Sequence, residues 1–495
     1  MLSAAHPTRQ KVATQSLWIK RWSALWSAGF ALAVTMFFGS FAHRAWRIAA
    51  KSPPQRLEQA EALLRFVGDQ LRNHNGAEQF EKFLPEAGIV AYTMYGEALV
   101  NLGVAMPTDV LKRARLAEEI KWCLDQLARP AVLEKFPHTQ VPNGLFLLSR
   151  RTLLLAGLHL ISDTIPFELV EEYHDNCEIM ARAFESSQHG LLDSFPGFCW
   201  PTDNLAALRC LRLHDEKFGT DYSFAVEKWR EWAQGALDPK YATLPFYVDS
   251  RSGEPLAATR GSALALSLIE LRDVDEEMFR EQYLRFREYF GNSVLGLRTW
   301  RESPEGRSLK TDIDTGPVIH GHGVMATLIG MTAAKLAGDL ATFCDQMGLI
   351  EAIALPSTKD GMRRYLRGRL LILDALAAYA KSAVPWTGGA SEIRQLSTSP
   401  RRPLLFVAVL MAIPFLTIAS FAIRYARIVR KVRPLSLWRS ESPSSEGSIL
   451  FWCQTVVLVS FFFSPLWFPV IWAGFGILGR ATSFGLRLAR QGKSS

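Results

Sequence analysis

The sequence predicts an all-α protein: an (α/α)6 toroid of six outer–inner helix pairs, with one N-terminal and two to three C-terminal membrane segments. Between residues 53 and 385 the hydrophobic periodicity is helical, strand patterns are almost absent, and two kinds of helix alternate. Outside that region, long uncharged runs lie beside clusters of Lys and Arg, a combination typical of membrane spans.

The composition excludes two broad classes of protein. A chain of 495 residues with 48% hydrophobic side chains is neither a minimal domain nor a disordered one. The net charge of +8 comes from the ends, because residues 1–56 carry eight basic and no acidic side chains, and 393–495 carry thirteen basic and two acidic. The region between them has a net charge of −11, so no nucleic-acid partner is predicted.

Three uncharged runs are long enough to enter a bilayer. Residues 22–42 and 403–423 are 21 residues each, and 448–479 has 32 residues interrupted by prolines. A cleaved signal peptide is the alternative for the first run. Six basic residues follow the second run within 424–439, which favours a cytoplasmic loop there.

This orientation predicts a multi-pass protein of a bacterial inner membrane, with its large domain in the periplasm. The predicted order is a basic cytoplasmic tail (1–21), a transmembrane helix (22–42), the periplasmic toroid (53–390), a transmembrane helix (403–423), a basic cytoplasmic loop (424–447), a membrane hairpin or long helix (448–479) and a basic tail (480–495).

The two kinds of helix suggest two concentric layers. A helix with one charged stripe has a wet face, whereas an apolar helix rich in Gly, Ala and Ser packs on all sides. A helical solenoid is the alternative architecture. The amphipathic, outer helices are predicted at 55–74, 108–129, 166–187, 222–237, 274–291 and 338–352, and the apolar, inner helices at 89–103, 143–162, 202–214, 259–271, 316–337 and 362–381.

Segments that lead from an outer to an inner helix emerge at one end of a toroid, and they carry the unusual side chains. The richest is 193–204, where Asp193 and Trp200 precede Asp203 at the start of an inner helix. Trp200 is a candidate platform for a sugar ring, Asp203 is a candidate catalytic residue and Asp193 a candidate substrate ligand. Helix capping by Asp203 and a turn role for Asp193 are the alternatives.

A second candidate segment contains Asp312, Asp314, His320 and His322. Asp312, Asp314 and His320 are candidate catalytic residues, and packing on a helix face is the alternative for the two histidines. The spacing fits no standard metal site, so no metal and no cofactor is predicted.

Further candidates open or line the other inner helices. Tyr92 is a candidate catalytic residue, and Arg260 is a candidate for binding a substrate carboxylate, with a salt bridge to Asp203 or Asp312 as the alternative. The remaining candidate substrate ligands are Tyr95, Glu97, Asn143 and Asp249. The six cysteines are spread singly and are predicted to be buried thiols, although a disulfide in an exported domain is the alternative.

Three motifs carry a family resemblance: Trp200-Pro-x-Asp203, Arg260-Gly-Ser and Asp312-x-Asp314-x-Gly316-Pro317. They resemble those of bacterial membrane-associated toroid proteins grouped with linalool dehydratase/isomerase-like domains, over about 85–380. The implied fold is similar to that of (α/α)6 glycoside hydrolases, polysaccharide lyases and sugar epimerases.

Three functions stay open from the sequence. The first is hydrolysis, elimination or epimerisation of an envelope or exported polysaccharide, with Asp203 and either Asp312 or Asp314 as the acid–base pair. The second is a hydratase or isomerase of an isoprenoid-type alcohol, with Tyr95, His320 and Cys199 as acid–base groups. The third is a non-catalytic scaffold that binds envelope proteins.

Overall fold

The structure is a computed structural model that describes residues 51–82, 86–294, 296–307 and 315–388, together with isolated positions between 29 and 47. Helices dominate it. In chain order the described helices are α1 (Pro53–Asn73), α2 (Gly76–Glu81), α3 (Ala87–Ala105), α4 (Val110–Leu127), α5 (Pro130–Leu133), α6 (Gly144–Ile161), α7 (Phe167–Ser186), α8 (Pro201–Phe218), α9 (Ser223–Ala236), α10 (Gly261–Val274), α11 (Glu276–Tyr289), α12 (Val324–Leu336), α13 (Leu340–Ile353) and α14 (Leu371–Ser382).

Six of the described helices form a closed ring. In the order α3, α6, α8, α10, α12 and α14, each packs on the next, and α14 packs on α3. A solenoid leaves its first and last repeats apart, so the contact between α14 and α3 excludes that alternative. Helices α1, α4, α7, α9, α11 and α13 pack on the outside of this ring.

Residue size and polarity explain the two layers. Helix α3 is buried over most of its length and uses glycine where a neighbour approaches closely, since a Cβ on Gly96 would overlap the Leu154 side chain of α6. Helix α4, in contrast, buries only one stripe, which includes Leu116, Ile120 and Leu124. That spacing of three to four residues leaves the opposite face for charged side chains.

Within the described residues, four short antiparallel hairpins interrupt the helical pattern. They pair β1 (Tyr247–Val248) with β2 (Pro255–Ala257), β3 (Gly291–Val294) with β4 (Leu297–Trp300), β5 (Val318–Ile319) with β6 (His322–Gly323), and β7 (Ser357–Lys359) with β8 (Met362–Arg364). All four lie in connections from an outer to an inner helix, whereas the described inner-to-outer connections are short. The chain therefore concentrates its irregular structure where the inner helices begin.

The hairpins correct two predicted helix starts. The inner helices predicted from 316 and 362 begin at Val324 and Leu371, because residues before them form strands and turns. His320 has a φ of 50° at the turn between β5 and β6, a backbone conformation that a helix excludes. The alternative in which His320 and His322 pack on a helix face is therefore wrong.

The membrane predictions fall almost entirely outside the described residues. This is so for 403–423, 448–479 and most of 22–42. Among the described helices, α6 is long and apolar enough to cross a bilayer, and it is mostly buried within the protein as a core helix.

The start of α10 gives a test of the ring packing. The N–H of Gly261 donates to the carbonyl oxygen of Glu302 at 2.9 Å, and a Cβ at residue 261 would overlap the carbonyl oxygen of Arg301. We expect Gly261→Ala to lower the free energy of unfolding by about 1–3 kcal/mol, since this backbone cannot move aside cheaply. Gly235→Ala in α9 is the control, because no atom lies within 4 Å of its Cβ position. Gly235→Ala should instead raise the free energy of unfolding, measured by thermal denaturation, by about 0.5–1 kcal/mol. Equal changes for the two substitutions would contradict the close packing at Gly261.

Candidate functional site

Two arginines lie at the centre of the helix ring. Arg150 of α6 binds Glu270 of α10, with Nη1 2.6 Å from Oε1, and Arg209 of α8 binds the other oxygen of Glu270 at 3.0 Å. Helices α6 and α10 are separated in the ring by α8, so their side chains meet only across its interior. Glu270 therefore accepts charge-assisted hydrogen bonds from two helices while almost completely buried.

The network continues to α3, α14 and the segment that follows α14. The Tyr379 hydroxyl donates to Glu97 Oε2 at 3.0 Å, and Arg209 Nη1 lies 3.7 Å from the same oxygen. Arg209 also binds Asp273 at 2.7 Å, while its guanidinium carbon lies 4.0 Å from the centre of the Trp386 ring. The same two arginines thus contact side chains from most of the ring.

The charges in this network do not balance, and the pKa values reflect it. Burial and the nearby Glu270 carboxylate raise the pKa of Glu97 to about 7, although Arg150 and Arg209 oppose the shift. Arg150 and Arg209 lower the pKa of Glu270 against the effect of its burial. One carboxyl is thus held ionised and its neighbour titrates near neutral pH, a separation that also occurs in acid–base sites.

Asp203 occupies the end of the network nearest to solvent. It is the third residue of α8, and its side chain is 10% exposed, compared with 3% for Glu270. Arg150 Nη2 lies 3.6 Å from its Oδ1, and burial raises the pKa of Asp203 despite Arg150 and a hydrogen bond with Ser194. The N-cap position of α8 belongs to Trp200, so the capping alternative for Asp203 is wrong.

Aromatic rings form a partly exposed surface at the start of α8, the helix that carries Asp203. Phe198 and Trp200 stack with their centroids 5.8 Å apart and an angle of 11° between the rings, and Tyr247 lies 5.7 Å from Trp200. Phe198 is 50% exposed. The guanidinium of Arg260, before α10, lies 4.3 Å from the centre of the Phe246 ring. Flat apolar faces next to polar groups suit the stacking of sugar rings.

Three predicted substrate ligands instead hold the local backbone. Asp193 accepts hydrogen bonds from Ser250 Oγ at 2.5 Å and from the N–H of Gly197 at 3.2 Å. Asp249 accepts from two N–H groups of its own turn, and Asn143 donates to carbonyl oxygens before α6. These contacts match the turn role that was the alternative for Asp193.

The two tyrosines of α3 face the outer layer, which corrects their predicted place in the site. Tyr92 packs edge-on against Trp122 of α4, with the centroids 5.6 Å apart, and Tyr95 donates to Glu119 of α4 at 3.2 Å. Each helical residue advances about 100°, so Tyr95 and Glu97 point in nearly opposite directions. Of these three candidates, Glu97 is the one that joins the central network.

The acid–base groups of the isoprenoid hypothesis do not come together. Tyr95 faces α4, His320 is exposed at the tip of a hairpin, and Cys199 is buried, with its thiol pKa raised by burial. Five cysteines in the described residues are free thiols, four of them buried. Asp312 and Asp314 lie outside the described residues.

Sequence reasoning missed most of the central network. The missed residues share one signal, which is an ionisable or hydroxyl group inside an otherwise apolar inner helix, where an unpaired charge would be costly. They are Arg150, Arg209, Glu270, Asp273 and Tyr379.

Comparison with known proteins does not assign a family. No protein-family model matches the chain, and no curated protein matches it. Among solved structures, the fold is similar to that of a GH76 α-mannanase of Bacteroides thetaiotaomicron, with a TM-score of 0.37 and 10% identity, over 59% of this chain and 84% of that one. The resemblance to linalool dehydratase/isomerase-like domains stays a prediction.

The raised pKa of Glu97 predicts a pH-dependent stability. Its folded-state pKa of about 7 exceeds the ordinary value of 4.5, so the folded protein binds more protons between these values. The contribution of Glu97 to the free energy of unfolding should therefore fall as the pH rises from about 4.5 to 7, by a few kcal/mol, since one pKa unit corresponds to about 1.4 kcal/mol. Relative to wild type, Glu97→Gln should therefore become more stable as the pH rises through this range, whereas Glu118→Gln, at a side chain that is 71% exposed, should follow the wild-type curve. Denaturant unfolding across this pH range measures the difference, and parallel curves for wild type and Glu97→Gln would contradict the assignment.

Proposed function

We propose that this protein is an enzyme that acts on a carbohydrate chain at the end of the toroid where the inner helices begin. The observation that carries the proposal is the partly exposed aromatic surface of Phe198, Trp200 and Tyr247 at the start of α8, whose third residue is Asp203. A scaffold has no need of a buried carboxyl with a raised pKa in the first turn of a helix that starts at such a surface.

In the proposed reaction, Asp203 is the proton donor. Burial favours its protonated form, and the proton goes to the oxygen of the scissile glycosidic bond as that bond breaks. Arg150, 3.6 Å away, then stabilises the carboxylate that remains. For inverting hydrolysis, Asp312 or Asp314 is the candidate base that activates a water molecule on the opposite face of the sugar. Elimination or epimerisation would instead begin with proton abstraction from a sugar carbon.

We further propose that the substrate is an envelope or exported polysaccharide and that the toroid faces the periplasm. The support is the distribution of basic residues around the uncharged run 403–423, which three basic residues precede and six follow within 424–439.

The catalytic proposal predicts how turnover changes when Asp203 can no longer donate a proton. Asp203→Asn keeps the size of the side chain but cannot donate an acidic proton, so turnover should fall at least about 100-fold. The assay incubates the full-length protein with bacterial envelope polysaccharides and follows new reducing ends and unsaturated products. Glu216→Gln, an exposed carboxylate on the same helix, is the control and should keep the wild-type rate. Wild-type turnover that survives in Asp203→Asn would exclude Asp203 as the donor, and no turnover of any polysaccharide by wild type would favour the scaffold.

The proposed topology predicts the activity of reporter fusions in a bacterial host. Alkaline phosphatase is active only after export, so a fusion after residue 390 should be active and one after residue 440 inactive, because the basic loop 424–447 should stay in the cytoplasm. A cytoplasmic reporter such as green fluorescent protein at the same two positions should give the reverse pattern. Inactive phosphatase after residue 390 would overturn the periplasmic placement.

A further inference from the structure

A groove of about 590 Å³ has a described lining that includes none of the aromatic or central-network residues of the candidate site. It runs along the C-terminal end of α7 and the segment that follows. Its described lining comprises Gln140, Ile179, Arg182, Ala183, Ser186, Ser187, Gln188, Leu191, Ser250 and Arg251.

The lining of the groove is basic and rich in hydrogen-bonding groups. Arg182 and Arg251 contribute positive charge, and none of the described lining residues is acidic. Arg182 pairs with Glu178 one helical turn away, but its side chain is 74% exposed, and an exposed pair of this kind contributes little. The hydroxyl groups of the three lining serines donate within the protein, so they can accept hydrogen bonds from a sugar, and the amides of the two lining glutamines can donate to it. The groove thus offers charge for an anion and hydrogen bonds for the ring that carries it.

Hydrogen bonds of one residue connect the groove with the segment that bears the aromatic surface. Asp193, which precedes the turn bearing Phe198 and Trp200, is bonded to two groove residues. Its Oδ1 accepts from Ser250 at 2.5 Å, and its N–H donates to Gln140 Oε1 at 3.0 Å. The segment that bears the aromatic rings is therefore hydrogen-bonded to the lining of the groove.

We propose that the groove is a subsite for an anionic sugar, so that the substrate is a polysaccharide bearing carboxylate or phosphate groups. The guanidinium groups of Arg182 and Arg251 would bind the anion, since the planar donors of arginine match both groups. This inference rests on the proposed function, because it takes the chain on the aromatic surface to be the same chain.

The test compares sugars that differ only at carbon 6. Binding of the full-length protein is measured by calorimetry with a β-1,4-linked mannuronate hexamer and with the matching neutral mannose hexamer, and again with α-1,4-linked galacturonate and galactose hexamers. The variants are Arg182→Gln, Arg251→Gln and the double variant, with Arg212→Gln, an exposed arginine of α8, as the control. Trp200→Ala separately tests the aromatic surface. Inorganic phosphate and free glucuronate, added as competitors, distinguish the two kinds of anion.

The inference predicts that at least one uronate hexamer binds 10-fold or more tightly than its neutral partner. The double variant should remove that preference, Arg212→Gln should keep it, and Trp200→Ala should weaken both members of a pair alike. Equal binding of both members, or a preference that survives in the double variant, would overturn the subsite. If the arginine variants lose the preference while Trp200→Ala binds like wild type, the subsite stands and the proposed aromatic platform fails.

Discussion

Two buried guanidinium groups set the arrangement of the inner ring. Arg150 and Arg209 each contact Glu270 of α10 and Glu97 of α3, so within the described chain they connect opposite sides of the ring. Loss of one partner from a buried pair typically costs about 3–5 kcal/mol, because the remaining charge has no compensation. The register of the inner helices is therefore tied to this network, whereas apolar packing alone tolerates small shifts of one helix along another.

The same network determines where chemistry can take place. Its side chains at mid-height, such as Glu270 and Arg209, are almost completely buried, so they occupy the axis that a substrate would otherwise enter. Asp203 and Arg150, toward the end of the ring where the inner helices begin, have side chains that are more exposed to solvent than those two. The aromatic surface and the four hairpins lie at that same end. The solvent exposure of the charged side chains thus increases from the paired, inaccessible groups inside the ring to a carboxyl near solvent at the site.

The sequence predicts the layers well and the site only in part. Alternation of charged and apolar helices predicts the ends of ten of the twelve helices to within a few residues, because that pattern is a direct consequence of which faces meet water. For the inner helices that begin at 324 and 371 the predicted starts are too early, since the prediction extends each helix into a Gly-rich hairpin segment. Arg150 and Glu270 were missed because their pairing needs the ring to close, and Tyr95 was included because a helix sequence alone does not say which face points inward.

Arg150 couples the candidate donor to the buried network. It contacts Asp203 at the accessible end, Glu270 in the interior and Glu97 at 4.0 Å. In the proposed reaction, Asp203 becomes negative when it gives up its proton, and this charge competes with Glu270 and Glu97 for the same guanidinium. Glu97, with its pKa raised to about 7 by burial and by Glu270, is the carboxyl in this group that neutralises most easily. Proton uptake by Glu97 would release Arg150 to stabilise Asp203, so the charge imbalance that is costly for folding would help the donor in its reaction.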